Sequence, residues 1–366
     1  MRSLAYHPLA QRVGNALGHL GKRVLGHVLG VLLPAPANVP IEAVPGARRV
    51  LIVRPNFRLG NTLLATPLIL ALRERFPGAQ LDYLCGDTSA SLLMHLPVDR
   101  VYTVSRRFIT RPWHFVALFV RLRRIHYDVA VEGGMNSFSG ALYTYLTGAH
   151  YRIGSCGKGD RFFNVRLSFK RAAHVYGNLP AFTRELGVPC PDHPVYNVSA
   201  EEHTAALAVL TRLQLATGAT ILPFIGVFVG GHQAKRWPSA RWIDLVRSLA
   251  TAGGRVIVFL GPEELRFEGE YRRALPPNVR ILPPQPLRLF AALWGAAHLV
   301  VTPDSGPMHL AAALGVPAVV LLERDVSRKY APQGEQDRVL VRPTTADAIA
   351  AVTAHPTWPD NIRATD

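Results

Sequence analysis

The sequence predicts an α/β protein of two doubly wound lobes facing a cleft, preceded by a basic helical extension. Three observations carry this. β-Branched runs alternate with helical stretches, as in βαβ units. The alternation restarts after residue 222 as though a second domain begins. The polar and glycine-rich motifs fall at strand ends, where open parallel sheets bind ligands. A length of 366 residues suits about two domains, and at 49% hydrophobic the chain can bury a core in each.

Residues 1–47 form the extension. No acid occurs from Met1 to Ile41, while Arg2, Arg12, Lys22 and Arg23 punctuate an apolar pattern. The uncharged run Val24–Leu33 ends at Pro34, short of the roughly 20 residues that span a bilayer. An interfacial helix on an anionic membrane is the preferred reading, with a disordered basic leader or a signal peptide as alternatives.

The first lobe is expected at 48–190. "RRVLIVRP" (48–55) reads as a buried strand, "NTLLATPLILALRERF" (61–76) as one helix, and "PGAQLDYLCG" (77–86) as a turn and a second strand. "HYDVAVEGG" (126–134) is a further strand ending in glycines. A linker follows at 191–222 and carries the helix "AEEHTAALAVLTRLQL" (200–215). The second lobe, 223–345, has strands at 225–231, 255–261, 278–282, 298–304 and 317–322, with helices at 239–254 and 307–314. Residues 346–366 are expected as a C-terminal helix and tail.

Charge is placed unevenly. Residues 1–190 hold 24 Lys and Arg against 9 Asp and Glu, and the remainder 17 against 16. The first half therefore faces an anionic partner: nucleic acid, a phospholipid surface or a phosphorylated glycolipid. The stretch 105–127 concentrates Arg106, Arg107, Arg111, Arg121, Arg123 and Arg124 among Trp113, Phe115 and Phe119. Such a mixture meets lipid headgroups or single-stranded nucleic acid, and it also suits a helix packed on a sheet. No nucleic-acid-binding motif accompanies it, so nucleic acid is not expected as a partner. Three scattered cysteines, Cys85, Cys156 and Cys190, suit a reducing compartment and form neither a disulfide framework nor a metal site.

Three loops of the second lobe outline a nucleotide-diphosphate pocket. "VTPDSGPMHLAAALGVP" (301–317) puts Asp304, Ser305 and Gly306 at a helix N-terminus, whose unpaired N–H groups and dipole favour an anion. A simple cap by Asp304 or Ser305 accounts for one residue but leaves His309, one turn in, unexplained. "GGHQAKRWP" (230–238) offers backbone to phosphates, with Lys235 or Arg236 to neutralise them; as a bare surface loop it uses Trp237 as a plug. "LGPEE" (260–264) sets Glu263 and Glu264 where a ribose can be gripped. In the first lobe "RPNFRLGNTLLATP" (54–67) lacks both the dinucleotide fingerprint and the P-loop pattern.

Gly60-Asn61 followed by Pro67, "FPGA" (76–79), "KRWP" (235–238) and "DSGPMHLAAALGVP" (304–317) together resemble the ADP-heptose lipopolysaccharide heptosyltransferases of glycosyltransferase family nine, over about residues 48–325. The resemblance implies a GT-B fold and inverting sugar transfer without metal or cofactor. The donor, a nucleotide-diphospho-sugar, would sit in the C-terminal lobe and an anionic glycolipid acceptor in the N-terminal lobe, at the inner face of the cytoplasmic membrane. Lys235 would then contact donor phosphates, Asp304, Ser305 and Gly306 the diphosphate-sugar, His309 that loop, and Glu264 the ribose. Arg58, Arg106, Arg107 and Arg111 are acceptor-binding candidates. One departure matters: Asn61 stands where the family usually has an Asp proposed as the base, and an amide takes no proton at neutral pH. Glu132, at the end of "YDVAVEGG", is the substitute candidate, and Asp87 the next. A non-catalytic binder on the same fold is the alternative.

Overall fold

A computed structural model describes residues 36–106, 110–231 and 235–358. Residues 1–35, and with them the expected membrane-binding segment, lie outside the described residues, as does Arg107.

The N-terminal lobe holds β1 (Arg49–Arg54), β2 (Gln80–Gly86), β3 (Arg100–Val104), β4 (Val129–Glu132), β5 (Tyr151–Ser155) and β6 (Val165–Leu167). They form one parallel sheet in the order β3-β2-β1-β4-β5-β6. Val50, Leu51, Ile52 and Val53 of β1 are all fully buried, since helices cover both faces of a parallel sheet. A short antiparallel hairpin, β7 (Ala216–Thr217) and β8 (Thr220–Ile221), then leads into the second lobe. There β9 (Ile225–Phe228), β10 (Val256–Phe259), β11 (Arg280–Leu282), β12 (Leu299–Pro303), β13 (Ala318–Leu322) and β14 (Arg338–Val341) repeat the arrangement as β11-β10-β9-β12-β13-β14. In each sheet the strand order reverses at one place, between β1 and β4 and between β9 and β12. Ligands of doubly wound sheets sit beyond the carboxyl ends of strands at such a reversal.

Three expectations are refined. The stretch 61–76 is two helices, Leu59–Leu63 and Pro67–Arg75. Pro67 supplies no N–H for an i→i−4 bond, and the backbone tightens into i→i−3 turns from Ala65 to Ile69, so Pro67 opens the second helix rather than continuing the first. The helix of the expected linker, Ala200–Arg212, starts from a Ser199–Glu202 capping box and packs on Leu287–Gly295, in the core of the C-terminal lobe. The helix Thr345–Thr353, expected as part of a tail, buries Ala348 and Val352 against the same lobe.

The lobes touch. Leu63 and Leu92 of the first pack into a core cluster of the second. His95 places Nε2 3.6 Å from Glu202, whose carboxylate is also held by Arg288.

Candidate functional site

The β1 loop is a rigid platform. Gly86 lies so close beneath it that a Cβ there would be 2.4 Å from the Asn56 carbonyl. Thr88 Oγ1 and Arg106 Nη2 both donate to the Phe57 carbonyl, at 3.1 and 2.9 Å, and the Arg106 guanidinium lies 5.2 Å from the Phe57 ring centroid. Arg58 N donates to Asn56 Oδ1 at 2.8 Å, leaving the Arg58 side chain exposed. The loop thereby delivers Leu59 and Gly60 to the other lobe, with Asn61 next in the chain.

Opposite stands the helix Gly306–Leu314, at the carboxyl end of β12. Ser305 is its N-cap residue but its side chain makes no capping bond, and neither does that of Asp304. Ser305 Oγ lies instead 3.2 Å from Thr302 Oγ1, and Asp304 Oδ2 is 2.6 Å from Lys235 Nζ. Both side chains that a simple cap would use are thus turned to other work. His309 is buried, with Nδ1 3.2 Å from Tyr176 Oη of the other lobe. Burial, with Lys235 adding to it against Asp304, pushes its pKa down to about 4, so the ring is neutral at pH 7.

The lobes meet at this point. A Cβ on Gly60 would lie 2.5 Å from His309 Cδ2, and one on Gly306 would lie 3.5 Å from Leu59 Cβ. The glycine at 60 is therefore required by close approach of the Gly306–Leu314 helix, not by its backbone angle.

The third loop is held by charge. Arg236 bonds Glu263 at 2.9 Å, Glu264, and the Gly231 carbonyl at 2.9 Å. Glu264 is buried between Gly230 and Gly261, and burial raises its pKa despite Arg236. Trp237 is buried beneath Trp242, with Arg241 stacked 3.8 Å from its ring centroid.

Glu132 ends β4, next to β1 at the reversal of strand order. It is 1% exposed, under a turn in which Met135 and Asn136 take positive φ of 49° and 89°. Gly134 N donates to its Oε1 at 2.7 Å. Burial pushes its pKa up to about 7, against the opposing pull of Arg54. Arg54 Nε also donates to the main-chain carbonyl of Asn61 at 3.4 Å, so the cation that opposes burial at Glu132 is anchored to the backbone of the β1 loop helix. Asp87, by contrast, is exposed and lines a cavity of about 400 Å³ with Arg111 and His114 at the carboxyl end of β3.

Residues 115–351 match the family model described as glycosyltransferase family 9 (heptosyltransferase). The chain belongs to glycosyltransferase family 9. It is 25% identical over 292 residues to lipopolysaccharide heptosyltransferase 1 of Escherichia coli K12, covering 75% of this chain and 87% of that one. It is 27% identical over 285 residues to the Pseudomonas aeruginosa protein of the same name, covering 75% and 78%. Its fold is that of the solved E. coli ADP-heptose lipopolysaccharide heptosyltransferase II, with a TM-score of 0.65 at 23% identity over 84% of this chain and 98% of that one. It is also that of E. coli heptosyltransferase WaaC with ADP-2-deoxy-2-fluoro heptose, with a TM-score of 0.63 at 23% identity over 81% and 94%. The architecture is accordingly the GT-B arrangement.

In this family 9 glycosyltransferase the structure brings Lys235, Asp304, Ser305, Gly306 and His309 to one face of the C-terminal lobe, with Leu59 and Gly60 against it and Asn61 next in the chain. Glu264 is joined to that group only through Arg236, the neighbour of Lys235. Arg58 lies on the β1 loop, Arg106 follows β3 and donates to that loop, and Arg111 lines the cavity beyond it. Among the described residues no cluster of three or more His, Cys, Asp or Glu is placed to hold a metal ion. Sequence reasoning missed Arg54 and Tyr176. The first carries the signal of a charged residue ending a buried strand. Tyr176 carries none, because only the folded chain brings it to His309.

Proposed function

We propose that this protein is an inverting, metal-independent glycosyltransferase that moves a sugar, a heptose, from an ADP-sugar to a lipopolysaccharide-type acceptor. The observation that carries the reading is the Lys235–Asp304 pair at the mouth of the Gly306–Leu314 helix, with Leu59 and Gly60, the residues just before Asn61, against that helix. The donor diphosphate replaces Asp304 as the partner of Lys235 and takes the helix N-terminus as its second positive group. Stabilising the leaving diphosphate there lowers the barrier to departure. Ser305 and Gly306 bound the sugar side, and Glu264 meets the ribose.

The acceptor hydroxyl binds at Asn61, whose amide orients it, and its proton passes to Glu132. A carboxyl whose pKa lies near 7 is well matched to that task. This route requires the Gly133–Asn136 turn to move aside when the acceptor enters. Asp87 is the second candidate. Arg58, Arg106, Arg107 and Arg111 meet the anionic groups of the acceptor. The enzyme works at the inner face of the cytoplasmic membrane, with its basic first 33 residues on the lipid surface. Among the described residues no helix is long and apolar enough to cross a membrane.

A second reading, a nucleotide-sugar or glycolipid binder without turnover, is favoured by Asn61 together with the burial of Glu132. A thermal-shift screen of nucleotide-sugars tests the donor half of the proposal. A donor held at 100 times its Kd stabilises by roughly 2.7 kcal/mol. ADP-heptose is expected to lead the ranking, and no shift with any ADP-sugar would contradict it.

A further inference from the structure

We propose that the helix Pro112–Ile125 docks this protein on an anionic bilayer, with Trp113, Val116 and Val120 inserted at the level of the lipid headgroups. The proposal rests on the reading that the acceptor is a membrane glycolipid, and it names the surface that meets the membrane.

The helix is amphipathic twice over. One side packs on the sheet, where Phe119 and Leu122 are buried and Phe115 and Phe119 close on Tyr143. The opposite side is apolar too: Trp113 is 61%, Val116 59% and Val120 42% exposed. At 100° per residue these three and Ala117 fall on one pole, with Arg121 and Arg123 on its two flanks and Arg124 extending it. Half of the large apolar side chains exposed among the described residues, three of six, thus stand on this one helix. An apolar pole edged by cations and headed by a tryptophan is the pattern of a helix lying in a membrane interface.

Charge selects the bilayer over other occupants. No Asp or Glu occurs between Arg100 and Tyr127, and none of the ion pairs among the described residues uses an arginine of this helix. A second copy of the chain would bring an equally cationic lobe face to face with the first. An anionic lipid surface complements the arginines while taking up the apolar pole. The cavity shared by Asp87, Arg111 and His114 is lined by the same helix through His114, Phe115 and Leu118, on the side turned away from the apolar pole, so docking by that pole leaves the cavity uncovered.

The test uses the full-length protein and co-sedimentation with two kinds of vesicle, phosphatidylcholine alone and phosphatidylcholine with phosphatidylglycerol. The wild type is expected on the anionic vesicles only. The triple variant Trp113→Ser, Val116→Ser, Val120→Ser is expected to lose about tenfold or more in partitioning, because its apolar pole no longer inserts. Its melting temperature should hold, since the replaced side chains are exposed. Trp113 emission, taken as wild type minus Trp113→Phe, should shift to the blue on anionic vesicles. A triple variant that binds as the wild type does would overturn the proposal. So would equal binding to neutral vesicles, or a self-associated wild type that the triple variant makes monomeric without changing vesicle binding. Vesicle binding without sugar transfer would leave the docking surface standing and remove the transferase reading. Transfer by a protein whose variant keeps its vesicle binding would do the reverse.

Discussion

His309 occupies the space that a side chain at position 60 would need: its Cδ2 lies 2.5 Å from where a Gly60 Cβ would stand. One residue belongs to the N-terminal lobe and the other to the Gly306–Leu314 helix of the C-terminal lobe, so the contact fixes how closely the two lobes approach here. Tyr176 holds the same imidazole from its Nδ1 side at 3.2 Å.

Gly60→Ala therefore drives the lobes apart. Overpacking a buried contact costs about 1–3 kcal/mol. The expected outcome is a lower melting temperature and a wider lobe separation by small-angle scattering, with donor affinity little changed. A variant as stable and as compact as the wild type would show that the loops do not touch in solution.

Lys235→Ala should weaken donor binding, because a charge-assisted phosphate contact in a cleft is worth about 1.5–3 kcal/mol. Titration calorimetry with an ADP-sugar reads this directly, and an unchanged Kd would remove Lys235 from the site.

Two buried groups give stability opposite slopes with pH. His309 has a folded pKa of about 4, below its usual 6.5, so the unfolded chain takes up the proton first and stability falls as pH drops from 6.5 to 4. Glu132 has a folded pKa of about 7, above its usual 4.5, so its contribution is present at low pH and is lost as pH rises from 4.5 to 7. Between pH 4.5 and 6.5 the two oppose each other. Denaturant melts of Glu132→Gln should show stability rising more steeply with pH across that window, and those of His309→Gln should show it falling. Parallel profiles for the two variants would contradict the assignment.

Strand ends were legible because a β-branched run closed by glycine or by a helix-starting Pro is a local pattern, as at Val129–Gly134 and Leu299–Pro307. The edge strands Arg100–Val104 and Arg338–Val341 were not, because charged and half-exposed residues interrupt their apolar alternation. The break at Pro67 was written in the sequence, yet the continuous apolar spacing on either side of it reads as one helix. Site residues in the loops that follow strands, such as Lys235 after β9 and Asp304 after β12, follow from parallel-sheet geometry. The turn that covers Glu132 has positive φ at Met135 and Asn136; Asn is a residue type that adopts it, but Met gives no such signal. The partnership of Tyr176 with His309 spans 133 positions and exists only in the assembled lobes.

Sugar transfer by this chain has to proceed with an amide, Asn61, where the family resemblance implies an acid. It is read as release of ADP coupled to growth of a lipopolysaccharide-type acceptor, for the wild type, Glu132→Gln and Asn61→Asp. The expected outcome is turnover by the wild type, a loss of roughly 100- to 10,000-fold in Glu132→Gln as for removal of a general base, and similar or faster turnover in Asn61→Asp. A wild type that binds the donor and never transfers it, while Asn61→Asp does, would contradict the claim and leave a binding protein.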